Sequence, residues 1–336
     1  MKKSITAIIL LIVLLAISIP HMEKRFDKYI NKGTNVKYRI GVITATDIRM
    51  GKVEAMIDGL YHYGYKKEEL EIIIKNAKGD RSKLDSFAEE LVEENVDIII
   101  TTGTFETSAA KKYADNKEIP IIFIGVSCTV ELGFIDDIIS PGCNITGVDS
   151  HYVRLSGKRL EFLKRIVPDT KNVLILYNPL TTPFGPSSKF LYEAADKLKI
   201  ELELISVTNR DEIIETISEN HTKFDGIMLM CSLLFESTIE DIVNASLEYK
   251  IPVMGVNDTQ VEKGILAFYG STNYNEGFQS ARLVANILEG QNPKIIPIES
   301  PENLELHINV DTAKALGIEI DYSKMTFVDK FVKTER

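Results

Sequence analysis

Val96-Asp-Ile-Ile-Ile-Thr-Thr-Gly-Thr104 and Phe224-Asp-Gly-Ile-Met-Leu-Met-Cys-Ser232 are one pattern written twice in a single chain. Each has an aspartate at its start, an apolar stretch in its middle and small polar residues at its end. The flanking runs repeat too. Upstream, Tyr38-Arg-Ile-Gly-Val-Ile43 and Glu69-Leu-Glu-Ile-Ile-Ile74 are answered by Asn172-Val-Leu-Ile-Leu-Tyr-Asn178 and Glu201-Leu-Glu-Leu-Ile205. Downstream, Ile119-Pro-Ile-Ile-Phe-Ile-Gly-Val-Ser127 is answered by Ile251-Pro-Val-Met-Gly-Val-Asn-Asp258. Asp97 and Asp225 hold matching places, as do Pro120 and Pro252. A spacing of about 130 residues is too long for a solenoid and marks a duplicated domain.

The runs are short and continuously apolar, the pattern of strands buried on both faces of a parallel sheet. Segments of helical period lie between them. Residues 51–63 place Val53, Met56, Ile57 and Leu60 on one face, and residues 81–94 do so with Leu84, Phe87, Ala88, Leu91 and Val92. The expected fold is α/β: two doubly wound parallel-sheet domains joined by a multi-strand hinge. Residues 38–147 with about 268–291 form the first domain, and 148–267 with about 294–322 the second; 323–336 read as a C-terminal tail. Three crossings between the domains would permit closure about a ligand. Such sheets bind ligands outside the carboxyl ends of their strands, so the residues just after each run are the ones to read.

The 336 residues suffice for two domains with separate cores. A net charge of −10 and the lack of basic runs exclude nucleic acid as a partner. Cys128, Cys143 and Cys231 show no metal spacing and are odd in number, against a disulfide framework. Lys2 and Lys3 precede an apolar stretch from Ile5 to Ile19 that Pro20 ends. That pattern over 1–20 is an export signal that can stay as an N-terminal membrane anchor, with 21–37 as a tether. Dinucleotide, Walker, nucleophile-elbow and zinc-protease motifs are absent, and His21, His62, His151, His221 and His307 are scattered. No enzyme activity, cofactor or metal is expected.

Several further landmarks carry a resemblance. They are Gly103-Thr104, Pro141-Gly-Cys-Asn-Ile-Thr-Gly-Val148, Tyr177-Asn-Pro179, Gly290-Gln-Asn-Pro293 and Ile308-Asn-Val-Asp-Thr-Ala-Lys-Ala-Leu-Gly317. With the strand series, this ordered set resembles the substrate-binding proteins of ABC importers with the type I periplasmic-binding fold. The tryptophan/tyrosine-type branch is the nearer match, from about Tyr38 to Ile320. The resemblance implies an extracytoplasmic protein that closes on a small polar ligand, an amino acid or related small carboxylate, and delivers it to a membrane permease. A membrane-anchored sensing module of the same fold is the alternative. The chain departs from that family in three places. Thr46-Asp47-Ile48-Arg49 stands where a His-Pro segment is usual, Ser127-Cys128-Thr129 stands where Asp-Pro is usual, and no lipobox cysteine is present.

Read from the residues, a small zwitterion needs donors for its carboxylate and an acceptor for its ammonium. Thr102-Gly103-Thr104 leads into a helix expected near Thr107, whose unpaired amides favour an anion. Thr44, Thr46 and Asp47 follow the first run, and Asn178, Thr181 and Thr182 its counterpart; Ser127, Cys128, Ser232, Asn257 and Asp258 end the later ones. Asp47 or Asp258 is the candidate acceptor for the ammonium. Phe105, Phe184, Phe235, Tyr269 and Tyr274 are the candidate aromatic walls, with Tyr274 included in the site.

Overall fold

In the computed structural model the described residues are 35–181 and 184–334. The apolar run at 1–20, most of the tether and Thr182 lie outside them, as does the side chain of Phe184. Among the described residues the strands are β1 (Tyr38–Thr44), β2 (Leu70–Asn76), β3 (Ile98–Thr101), β4 (Ile121–Ile124) and β5 (Ile145–Val148), then β6 (Asn172–Tyr177), β7 (Glu201–Ser206), β8 (Gly226–Leu229) and β9 (Val253–Gly255), and finally β10 (Ala267–Gly270), β11 (Glu305–Asn309) and β12 (Lys330–Val332). They form two sheets, ordered β2-β1-β3-β4-β5 and β12-β11-β10-β9-β8-β6-β7.

The repeated punctuation has the same task in both halves. Asp97 accepts a hydrogen bond from the Arg39 amide at 2.7 Å, and Asp225 accepts from the Asn172 amide at 2.9 Å. Each aspartate thus ties its own strand's start to the strand beside it. The carbonyls of Pro120 and Pro252 accept from the amides of Ile99 and Ile227, fixing β4 on β3 and β9 on β8 at matching registers. A proline before a strand loses only a donor that a strand's first residue can spare.

β3, β4 and β8 are buried at every position, as continuous apolar runs require. In the first lobe the helices Met50–His62 and Asn273–Leu288 cover one face, and Leu84–Glu93 with Thr104–Ala114 cover the other. In the second lobe Ser156–Ile166 and Phe184–Leu198 oppose Arg210–Asn220 and Ile239–Tyr249.

The second sheet is parallel except that β11 runs antiparallel to β10, with Gly270 opposite Glu305. The reason is the path of the chain. After β10 it leaves the tip of the sheet, builds Asn273–Leu288 on the first lobe and re-enters at the same tip, so β11 must run back. β10 lies wholly in the second sheet, so this departure falls at 271 rather than at 268. The return is later than 294. Glu299 bridges Val148, and the Ile296 carbonyl accepts from Thr146 Oγ1 at 3.0 Å, so residues up to about 299 stay on the first sheet. The stretch read as a tail supplies β12, paired with β11 from His307 to Asn309.

Candidate functional site

Apart from β11 and β12, which run the other way, the strands of the two sheets turn their carboxyl ends to one cleft, and the residues that line it come from both lobes. From the first lobe come Arg49, Lys52, Thr102, Gly103, Thr104, Gly125, Ser127 and Leu132; from the second and the crossings come Tyr152, Val153, Thr181, Met230, Cys231, Glu236, Asn257 and Asn273.

An ion pair spans the cleft. Arg49 Nη2 and Nε donate to Glu236 Oε1 and Oε2, each at 2.9 Å, while Nη1 donates to Glu106 Oε1 at 2.9 Å. Thr46 Oγ1 also donates to Glu236, at 3.3 Å. Glu106 and Glu236 are 0% and 5% exposed, so this fork of a first-lobe guanidinium on a second-lobe carboxylate is shielded from water. Burial works against the Arg49 charge, but Glu236 and Glu106 together outweigh it and hold the guanidinium well above its ordinary range. Gly103 makes room for it: a Cβ there would collide with Arg49 Nη1.

A second buried pair supports the floor. Lys52 Nζ lies 2.8 Å from Glu276 Oε2 and donates to the Ile124 carbonyl at 3.2 Å. Burial pushes the Glu276 carboxyl up from its ordinary value, opposed by Lys52. Gly125, at a φ of +80°, lies over both groups, where a side chain would be strained and would strike Lys52. Deeper in the second lobe Arg159 donates from Nε to the Tyr269 carbonyl and from Nη1 to the Tyr152 carbonyl, both at 2.9 Å. Burial lowers its guanidinium to about 10.

Of the residues expected at the site, Thr102, Gly103, Thr104, Ser127, Thr181 and Asn257 line the cleft. The helix after β3 begins at Thr104, three residues before its expected start, with Gly103 as its N-cap. Thr44 lies one layer below, accepting from Thr102 Oγ1 at 2.9 Å, and Thr46 reaches Glu236 from the side. Ser127 donates to Asp149 at 2.7 Å and accepts from the Tyr152 amide at 3.0 Å, so it also pins a crossing.

The others are placed elsewhere. Asp47 is exposed and accepts from Asn76. Asn178 accepts from the Leu180 amide in a turn, and Ser232 caps the short helix Leu233–Ser237. Asp258 accepts from the Asn273 amide at 3.2 Å, behind the lining, and burial raises its carboxyl. Cys128, at a φ of +60°, belongs to an adjacent groove with Asp136, His151 and Arg154. Burial pushes its thiol up to about 12, and that of Cys231, in the cleft, up to about 11. The aromatic candidates that are described do not line the cleft. Phe105 lies under Arg81, Phe235 and Tyr269 belong to the second lobe's core, and Tyr274 is half exposed and stacks on Phe278.

Arg49, Lys52, Tyr152, Glu236 and Asn273 carry no motif. One signal points to two of them: Arg49 caps and Lys52 opens the helix Met50–His62, where a cation opposes the helix dipole. Charges placed against the dipole need buried acids, and Glu106, Glu236 and Glu276 supply them.

Three comparisons bear on this arrangement. The tyrosine-binding protein of Clostridioides difficile strain R20291 is 27% identical over 297 residues, which are 88% of this chain and 84% of that protein. A structure of the ABC domain in complex with L-Trp from Streptococcus pneumonia superposes with a TM-score of 0.81 at 22% identity, over 88% of this chain and all of that one; it bears on the fold. The ligand-free, open structure of a substrate binding protein with adhesive properties from Clostridium difficile gives 0.68 at 25% identity, over 89% of this chain and all of that one. A family model described as ABC transporter substrate binding protein matches residues 37–327, and this chain belongs to that family.

Proposed function

We propose that this chain is the extracytoplasmic solute-binding protein of an ABC importer, closing its two lobes on an amino acid or a related small carboxylate. One observation supports this above the rest: Arg49 of the first lobe is ion-paired with Glu236 of the second, at the strand tips where this fold binds ligands. A ligand held there touches both lobes at once, so it favours the closed arrangement over the open one. The helix Thr104–Ala114 aims its first amides at the same place, and Thr102, Thr104, Ser127, Thr181 and Asn257 add polar contacts suited to a carboxylate. The Clostridioides relative, named for tyrosine, supports an amino acid as the class. The proposed contact set does not include Asp47, Cys128, Asn178, Ser232, Asp258 or Tyr274.

A thermal-unfolding screen against amino acids, small carboxylates and sugars tests this reading. A ligand at a hundredfold its Kd stabilises the folded state by about 2.7 kcal/mol, a shift of several degrees. An amino acid or small carboxylate is expected to give that shift. A folded protein that none of them stabilises would sink the proposal.

A further inference from the structure

Arg49, Lys52 and Glu236 place charge at the centre of the cleft, and aromatic surface is scarce among its described lining residues. Among the described lining residues Tyr152 alone carries an aromatic ring, and the apolar side chains are Leu132, Val153 and Met230. The cavity between these residues measures about 50 Å³. At about 10–15 Å³ for each water position, that is room for about four waters, far less than an indole or phenol on an amino acid occupies.

The ion pair at the centre has capacity left. A guanidinium has five N–H donors, and the hydrogen bonds of Arg49 to Glu236 and Glu106 use three. Glu236 accepts from Arg49 twice and from Thr46 once, leaving one lone-pair position of about four. Glu106 Oε2, fully buried beside Gly103, has no hydrogen-bond partner. An α-amino acid carries its two charges on neighbouring carbons and can dock head to tail on an adjacent cation and anion. A ring on that ligand would need a flat slot against aromatic faces, and among the described lining residues Tyr152 is the one aromatic.

Resting on the amino-acid reading above, we infer that the ligand is a small zwitterion without a ring. Its carboxylate meets the remaining donors of Arg49, its ammonium meets Glu236, and its short side chain faces Leu132, Val153 and Met230. Glu236 is then the residue that demands the ammonium, and the small volume of the cavity is what limits size.

Isothermal titration of the purified full-length chain in mild detergent tests this. The probes are glycine, L-alanine, L-serine and L-threonine against L-phenylalanine, L-tyrosine and L-tryptophan. At least one of the first four is expected to bind about tenfold more tightly than any of the last three. L-Lactate, which lacks the ammonium, and ethylamine, which lacks the carboxylate, should each bind about tenfold or more weakly than L-alanine. Glu236→Gln should weaken the small amino acids by a similar factor; if that variant does not fold, the lactate and ethylamine arms on the unaltered chain decide. An aromatic amino acid binding as tightly as the small ones overturns the inference and leaves the amino-acid site standing, and so does lactate matching alanine. No binding by any of these seven amino acids overturns the inference, and no stabilisation by any amino acid or small carboxylate in the thermal screen overturns both.

Discussion

Arg49 and Lys52 stand three residues apart at the start of one helix, and each meets a buried carboxylate, but on different sides of the boundary between lobes. Lys52 pairs with Glu276 on Asn273–Leu288, a helix of the same lobe, inside a packed face. Arg49 reaches across to Glu236 on the short helix Leu233–Ser237 of the other lobe. The chemistry is nearly the same and the consequence is not. A pair within a lobe joins elements that are packed whether or not a ligand is present. On the proposed function, a pair across the cleft acts only when the lobes approach and so contributes to the closure equilibrium. Residue type (the compact ammonium below, the planar fork above) follows that division, since a guanidinium can hold two carboxylates and still present donors.

The largest expected effect concerns the inner pair. Lys52→Met leaves Glu276 buried without its cation and should cost about 3–5 kcal/mol in urea unfolding. A loss under about 1 kcal/mol would erase the contrast, because the inner pair would then not hold its helices together. Glu236→Gln keeps volume and leaves Arg49 its contact with Glu106, so a smaller loss of about 1–3 kcal/mol is expected. Its distinguishing sign is shape: small-angle scattering should show a larger radius of gyration than the unaltered chain. An unchanged radius would mean that the crossing pair does not bias closure. Gly103→Ala pushes on the Arg49 guanidinium from below and should cost about 1–3 kcal/mol, with weakened ligand binding.

The pH dependence sharpens the comparison from behind the lining. Asp258 has a raised folded-state carboxyl, chiefly through burial. The folded state therefore holds that proton more tightly than the unfolded chain does. As pH rises from the ordinary aspartate value of 3.8 through the raised one, the unfolded state comes to bind fewer protons than the folded state and stability falls. Asp258→Asn keeps the acceptor for the Asn273 amide and removes this penalty. Urea midpoints of the variant should gain on those of the unaltered chain between pH 4 and pH 7; a parallel pair of pH curves would contradict the sign. The smallest effect is expected at Tyr274, half exposed and away from the cleft. Tyr274→Ala should stay within about 0.5 kcal/mol and leave ligand affinity unchanged.

Much of the scaffold was legible because strand burial and chain repetition are properties of consecutive residues. Asp97 and Asp225 already matched in the sequence, and the structure gives both the same hydrogen-bonding task. The cleft was legible where it is built from strand ends, as at Thr102-Gly103-Thr104 and Asn257. It was not legible where a side chain turns away from the tip that carries it. Asp47 and Arg49 follow the same strand two residues apart, yet one faces solvent and the other the cleft, a choice made by the short helical turn Asp47–Arg49. Aromatics misled as well, because Phe235 is drawn fully inward and Tyr269 packs partly buried against the core, where more apolar area is available.

Taken by itself, the order of residues determined that two like α/β lobes exist and at which ends of their strands the cleft opens. Hydrophobic burial and pleated-sheet register act over a few neighbouring positions, so their trace is written locally. Only the tertiary structure decided that Arg49 would meet Glu106 and Glu236, that Lys52 would be matched by Glu276, and that the second sheet would reverse direction at β11. Charges find partners through space after the lobes have packed, and a strand's direction depends on where the chain has travelled before it returns.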